Sequence, residues 1–142
     1  MYGVTHVLHC AALKVIPNAP YNADEFVKTN VMGTMEVFRT AMDAGVEKVL
    51  FVSTDKGCEP TTFYGATKMI GEGLAVQMNR WSTTNISCVR YGNVEHSTGS
   101  FTNMIRDREK GESLPVTDPN MTRFWITLEA AVRFIDFALD QM

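Results

Sequence analysis

Val49-Leu50-Phe51-Val52-Ser53-Thr54-Asp55-Lys56 is the stretch whose reading decides the fold. Four apolar residues run without alternation, the pattern of a strand buried on both faces of a parallel sheet. Two hydroxyls, a carboxylate and an ammonium follow at once. In open α/β sheets, ligands sit beyond the carboxyl ends of the strands. Polar chemistry placed directly after a buried strand therefore reads as a site as well as a turn.

Outward from this stretch, strands and helices alternate. Towards the N-terminus, Val4 to Ala12 reads as a strand, and Pro17 and Pro20 then break the chain. From Asn22 to Ala44, apolar residues recur at Val27, Val31, Met35, Phe38 and Met42, a helical stripe with Gly45 as its stop. Towards the C-terminus, a loop with Gly57 and Pro60 leads into a helix from Thr62 to Trp81, and Ile86 to Tyr91 forms a third strand ending at Gly92-Asn93. Helices over Ser100 to Lys110 and Leu128 to Gln141 follow, with a turn-rich segment around Pro115 and Pro119 between them. Strand-helix-strand-helix-strand predicts an α/β protein with an open parallel sheet. The segments after its strands are Ala11-Ala12-Leu13-Lys14, Ser53-Thr54-Asp55-Lys56 and Gly92-Asn93-Val94, all small or polar.

The 142 residues allow one domain with a real core. A net charge of −3 supplies no basic stripe, so nucleic acid is not an expected partner. Cys10, Cys58 and Cys88 are an odd, widely spaced set, which suits free thiols in a reducing compartment. His6 and His9 lie three apart in a strand and point to opposite faces, and His96 stands alone, so no metal is expected. No apolar run approaches the roughly 18 residues of a membrane span. The opening stretch lacks the basic start of a signal peptide. The expectation is a cytoplasmic protein with no membrane partner.

Tyr64 and Lys68 are four residues apart and share one helix face. A nearby cation favours the phenolate, which predicts a lowered tyrosine pKa and a base usable near neutral pH. The spacing alone is weak: chance supplies it in roughly one chain of this length in four. Its position is what counts, because the pair opens the helix that follows Ser53 to Lys56. Together these groups could bind a substrate oxygen, deliver a proton and remove one. The competing account of Ser53 to Asp55 is turn formation and helix capping.

Six motifs in order make a resemblance specific. They are His9-Cys10-Ala11-Ala12-Leu13-Lys14, Lys28-Thr29-Asn30-Val31, Ser53-Thr54-Asp55-Lys56, Tyr64-Gly65-Ala66-Thr67-Lys68, Arg90-Tyr91-Gly92-Asn93-Val94 and Met121-Thr122-Arg123-Phe124. The chain resembles the inverting UDP-N-acetylglucosamine 4,6-dehydratases that begin pseudaminic acid synthesis, within the extended short-chain dehydrogenase/reductases. Membrane-bound relatives commonly carry methionine where this chain has Tyr64; the soluble inverting enzymes keep tyrosine.

The resemblance implies a partial Rossmann-like, doubly wound parallel sheet. Residues 1–98 would belong to the dinucleotide-binding domain and residues 99–142 to part of a small substrate-binding region. It implies a lyase that turns UDP-N-acetylglucosamine into a 4-keto-6-deoxy sugar nucleotide with inversion at C5. Transient C4 oxidation would use bound NADP, or NAD. Tyr64 and Lys68 would be the oxidation pair, and Thr54, Asp55 and Lys56 would carry the dehydration. Cys10, Ala11, Ala12, Lys14, Ser53, Tyr64, Lys68 and Val94 would line the cofactor. Lys14, Asn93, Thr117 and Arg123 would hold the sugar nucleotide, and Asn30 would contact the active-site loop. The complete enzyme would be a homo-oligomer. The alternatives are a sugar-nucleotide 4-epimerase, which needs no acid and base for elimination, and a catalytically inactive truncated nucleotide-sugar-binding module.

The chain departs from the family pattern in two places. Where relatives read Gly-Ser-Arg-Gly-Ser, this chain has His96-Ser97-Thr98-Gly99-Ser100. No Gly-x-Gly-x-x-Gly occurs, since Gly71 and Gly73 are followed by Val76 and fall inside a helical stretch. The expectation is a fragment whose phosphate-binding βαβ unit lies upstream of Met1 and whose substrate domain is incomplete.

Overall fold

The computed structural model describes residues 1–97, 100–108, 112–113, 116 and 118–142. Strands β1 (His6–His9), β2 (Lys48–Thr54) and β3 (Asn85–Tyr91) form a parallel sheet in the order β1-β2-β3. The strand expected over Val4 to Ala12 is shorter, because four residues pair with β2 and the chain then leaves the sheet. The central strand β2 is buried from Val49 through Thr54, as its unbroken apolar run predicts.

Alternate residues of β2 face two separate cores. Val49 and Phe51 pack with Phe38, Ala41, Ala75 and Ile86 on one side. Leu50 and Val52 pack with Val89 and Ile135 on the other. Helices α2 (Thr34–Asp43) and α3 (Phe63–Asn79) supply the first core, and α5 (Leu128–Asp140) the second. The sheet is thus covered on both faces, the doubly wound arrangement expected from the sequence. Lys48 Nζ donates to the Leu139 carbonyl at 2.8 Å, tying β2 to the end of α5.

The first long helical stretch is composite. A 3₁₀ turn (Ile16–Tyr21) and α1 (Ala23–Phe26) lead into a π-helical turn (Val27–Gly33), which runs on into α2. Its buried positions include Phe26, Asn30, Thr34 and Phe38, spaced by four, with Ala19 before them and Ala41 after. The expected stripe through Val27 and Val31 is displaced, since a π turn closes i→i+5 bonds and is wider than an α turn. Val27 is exposed. Gly45, at φ +68°, ends the helix as expected.

In α3, the Thr62 hydroxyl caps the first turn by accepting from the Gly65 N–H at 3.1 Å. Gly71 lets this helix lie against Phe51, where a Cβ would come within 2.7 Å of the ring. Gly71 and Gly73 both belong to α3 and form no phosphate loop. After Gly92 the chain pairs again: β4 (Asn93–Val94) runs parallel to β5 (Trp125–Ile126), a ladder absent from the sequence reading. A Cβ at Gly92 would overlap the Phe124 carbonyl oxygen, so only glycine permits this approach. Ser100 caps α4 (Phe101–Arg106), shorter than the helix expected to Lys110, which lies outside the described residues.

Candidate active site

The three polar segments beyond the strand ends meet around a cavity of about 410 Å³. Its wall includes Cys10, Ala12 and Lys14 after β1, Ser53, Thr54 and Lys56 at the end of β2, and Asn93 and Val94 on β4. Tyr64 and Lys68 enter it from the first turns of α3. A second, more open groove between α3 and β3 gathers Met69, Val76 and Trp81 and brings no comparable set of reactive groups together.

Lys68 is 3% exposed. Its Nζ donates to the Val52 carbonyl at 2.6 Å and stands 4.1 Å from the centroid of the Phe51 ring. Burial pulls its pKa down to about 8. Tyr64 moves the other way: burial pushes the phenol up to about 12, and the neighbouring Tyr91 and Asp55 add to the shift. The expectation that the nearby cation lowers the Tyr64 pKa is therefore corrected. The Lys68 ammonium is committed to Val52 and Phe51, and desolvation of the phenolate dominates.

Asp55 and Lys56 sit on a 3₁₀ turn (Asp55–Gly57) directly after β2. Asp55 Oδ1 accepts from Lys56 Nζ at 3.0 Å and from the Thr54 hydroxyl at 2.9 Å. Lys56 Nζ also donates to Asn93 Oδ1 at 2.8 Å. Gly65 in α3 abuts the Lys56 carbonyl so closely that a Cβ would overlap it. This contact fixes the Asp55–Gly57 turn relative to Tyr64, one residue before Gly65.

Two networks support the site. Asn30, 1% exposed, grips Leu13 in the first loop: Oδ1 accepts from the Leu13 N–H at 2.8 Å, and Nδ2 donates to its carbonyl at 2.9 Å. The same amide donates to Thr67 Oγ1 at 3.0 Å, and Thr67 donates to the Tyr64 carbonyl at 2.8 Å. Thr34 donates its hydroxyl hydrogen to the Asn30 carbonyl at 2.7 Å, so His9 Nε2 is the donor in its 2.9 Å bond with Thr34 Oγ1. Burial lowers the His9 pKa, and Lys68 lowers it further.

On the other side, the Ser53 hydroxyl donates to Glu72, whose carboxylate also accepts from Arg90 Nε at 2.9 Å and from Arg90 Nη2. Burial alone would raise the Glu72 carboxyl, but the bonds from Arg90 and Ser53 outweigh it and hold the pKa low. Neither the Glu72 role nor the Arg90 role was foreseen. The available signal was Glu72 at four residues beyond Lys68, hence on the same helix face.

The remaining candidates divide. Ala11 is exposed in the first loop, and Asp55 reaches the cavity through its partners Thr54 and Lys56. Arg123 is exposed, with Nη1 donating to the Thr122 carbonyl at 2.7 Å. Thr117 lies outside the described residues. Ile16, Tyr91, Ser97 and Leu128 also wall the cavity, though no sequence motif pointed to them as a set. His6 is exposed and His9 buried, on opposite faces of β1. Among the described residues, no group of three or more His, Cys, Asp or Glu is placed to hold a metal ion. No helix of the described residues is long and apolar enough to cross a membrane.

A doubly wound parallel sheet with a phenol, an ammonium and a Thr-Asp-Lys turn at its carboxyl ends defines a Rossmann-like α/β protein of the short-chain dehydrogenase/reductase type. The chain belongs to the polysaccharide biosynthesis protein family, whose pattern matches residues 1–142. It is 43% identical over 142 residues to the inverting UDP-N-acetylglucosamine 4,6-dehydratase of Campylobacter jejuni, covering 95% of this chain and 42% of that protein. It is 38% identical over 147 residues to a UDP-glucose 4-epimerase of Rickettsia rickettsii, covering 99% of this chain and 42% of that protein. Among solved structures, a double mutant of the Streptomyces venezuelae dTDP-glucose 4,6-dehydratase with NAD bound superposes with a TM-score of 0.85 at 25% identity, covering 97% of this chain and 49% of that one. The chain thus spans less than half the length of each of these relatives.

Proposed function

We propose that this chain carries the catalytic segment of an inverting UDP-N-acetylglucosamine 4,6-dehydratase, a lyase. The observation that carries this reading is the Thr54-Asp55-Lys56 acid-base turn, opening on the same cavity as Tyr64 and Lys68. Oxidation at C4 needs only the tyrosine and lysine; eliminating water also needs an acid and a base, and both are present. Similarity to the Campylobacter jejuni enzyme supports the substrate assignment.

The wall fits a nicotinamide dinucleotide. Cys10, Ala12 and Val94 are small beside the Tyr64 hydroxyl and the Lys68 ammonium, which suits a flat polar ring, and Lys14 offers a cation for an anionic group. Ala11 and Ser53 complete the cofactor set by resemblance. We assign NADP, with NAD as the other candidate. When bound, such a cofactor would supply a hydride acceptor for the oxidation at C4, a hydride donor for C6 and the positive charge of its oxidised ring.

With its phenol at about 12, Tyr64 holds its proton in this structure, so it acts as the C4 base only when positive charge is brought to its oxygen. The ketone formed at C4 acidifies the C5 hydrogen. Lys56 first passes a proton to Asp55 along their 3.0 Å hydrogen bond. The neutral amine then removes the C5 proton, and the Asp55 carboxyl delivers its proton to the C6 hydroxyl as it leaves as water. Reprotonation of C5 from the opposite face inverts that centre. Lys14, Asn93, Thr117 and Arg123 hold the sugar nucleotide, the planar guanidinium of Arg123 suiting its diphosphate. Residues 1–98 belong to the dinucleotide-binding domain, and residues 99–142 form part of a small substrate-binding region. The complete enzyme works as a cytoplasmic homo-oligomer.

The similarity to proteins named UDP-glucose 4-epimerase favours a second reading, a 4-epimerase. Incubating the complete gene product with UDP-N-acetylglucosamine and NADP⁺ or NAD⁺ and following it by NMR separates the two. A 4-keto-6-deoxy product inverted at C5 is expected. A 4-epimer would support the second reading, and no conversion would leave a binding module.

A further inference from the structure

We propose that Asn93 is a positioning residue for Lys56, and that through it the segment carrying Arg123 sets where the Lys56 ammonium stands. This rests on the dehydratase reading and adds a role to Asn93 beyond contact with the sugar nucleotide. An ammonium has three donors and no acceptor, so the oxygen of the Asn93 amide must be the atom that faces it. That oxygen lies 2.8 Å from Lys56 Nζ, while Asp55 Oδ1 holds the same nitrogen at 3.0 Å. The two acceptors come from different elements, the turn after β2 and the strand β4. A lysine on a flexible four-carbon stem is thereby fixed at both sides of its charge.

Asn93 is not free to follow a moving lysine. Its N–H donates to the Phe124 carbonyl at 2.8 Å, and the Glu95 N–H donates to the Ile126 carbonyl at 3.0 Å. Gly92, immediately before it, lies against the Phe124 backbone with no room for a Cβ. The Lys56 acceptor is therefore carried on a strand locked in register to the chain that runs directly on from Thr122 and Arg123. A ligand that orders Arg123 acts on the same short ladder that presents the Asn93 oxygen.

A double-mutant cycle in the complete gene product tests this. Asn93→Ala, Lys56→Ala and the double variant are compared in single turnovers with UDP-N-acetylglucosamine and NADP⁺ in D₂O, with deuterium entry at C5 as the readout and sugar-nucleotide affinity titrated separately. Asn93→Ala is expected to slow C5 exchange at saturating sugar nucleotide about tenfold or more, beyond the loss of affinity that its contact with the sugar nucleotide accounts for. In the Lys56→Ala background it should cost no more than about a further twofold, since a group acting through Lys56 has nothing left to position. If alanine at 93 fails to fold, Asn93→Ser enters the same cycle, with the same pattern expected. Losses that multiply, or weakened affinity with the exchange rate unchanged, would overturn the inference while an active parent keeps the dehydratase reading. A parent that forms no 4-keto-6-deoxy sugar removes that reading and this inference with it.

Discussion

Asn30 and Leu13, seventeen residues apart, are joined by a two-point clamp in which the asparagine amide satisfies both the N–H (2.8 Å) and the carbonyl (2.9 Å) of one loop residue. The clamp holds the Cys10 to Lys14 loop against the π-helical turn. It also reaches α3 through Thr67, so one buried side chain relates two walls of the cavity. Replacement by an apolar residue of similar size leaves the Leu13 backbone groups and the Thr67 hydroxyl without this partner. Asn30→Leu is expected to cost about 2–3 kcal/mol, the cost of leaving buried polar groups unsatisfied. Urea unfolding of the two proteins measures it, and an unchanged midpoint would mean that water replaces the clamp.

Tyr64→Phe removes only the phenol oxygen. In the complete gene product, turnover should fall on the order of a hundredfold or more, as for a positioned acid-base group. Substrate affinity and unfolding midpoint should stay close to those of the parent. Near-normal turnover would take Tyr64 out of the reaction.

Asp55→Asn combined with Lys56→Ala should separate oxidation from elimination. Tyr64 and Lys68 remain, so a 4-keto sugar nucleotide that keeps its C6 hydroxyl is expected to build up, detectable by mass spectrometry after chemical quench. The 4-keto-6-deoxy product should fall by about a hundredfold or more. Product formation at the parent rate would show that elimination is carried by other groups.

Lys68 makes the fold's stability depend on pH. Its pKa falls from 10.5 to about 8 on burial. Between those values the unfolded chain binds a proton that the folded chain does not, so stability rises with pH across this window. Below about 8 the cost of the buried charge is fully present. Each pKa unit corresponds to about 1.4 kcal/mol. Lys68→Met has no such titration. The melting temperature of the parent relative to Lys68→Met should therefore climb steadily from about pH 8 to about pH 10. A difference that stays constant over that range would contradict a depressed Lys68.

The open outer side of β1 has a separate consequence. Among the described residues β1 pairs with β2 alone, and Leu8 on this strand is 45% exposed. An unpaired edge with exposed apolar residues favours association. The 142-residue chain should self-associate as concentration rises, and Leu8→Lys should reduce this in sedimentation experiments. Equal association by both proteins would place the contact elsewhere.

Local periodicity settled much of this protein before any tertiary contact was considered. The unbroken run Val49 to Val52 specified a central strand, Gly45 a helix end, and the four-residue spacing of Tyr64 and Lys68 a shared helix face. The rule that α/β ligands lie beyond strand ends then marked the loops that do surround the cavity. What the sequence did not carry depends on which surfaces meet. The direction of the Tyr64 shift was misjudged because desolvation is set by burial, and the Lys68 charge is drawn off by Val52 and Phe51. The buried face of the first long helix departs from the expected stripe because the helix contains a π turn, whose i→i+5 bonds rotate the residues that follow it. The Glu72–Arg90 pair, the Lys56–Asn93 bond and the β4–β5 ladder join residues 18 to 37 positions apart. Packing of α5 against Leu50 and Val52 spans a still longer stretch of chain. No local pattern encodes such separations; only the folded chain brings these groups within bonding distance.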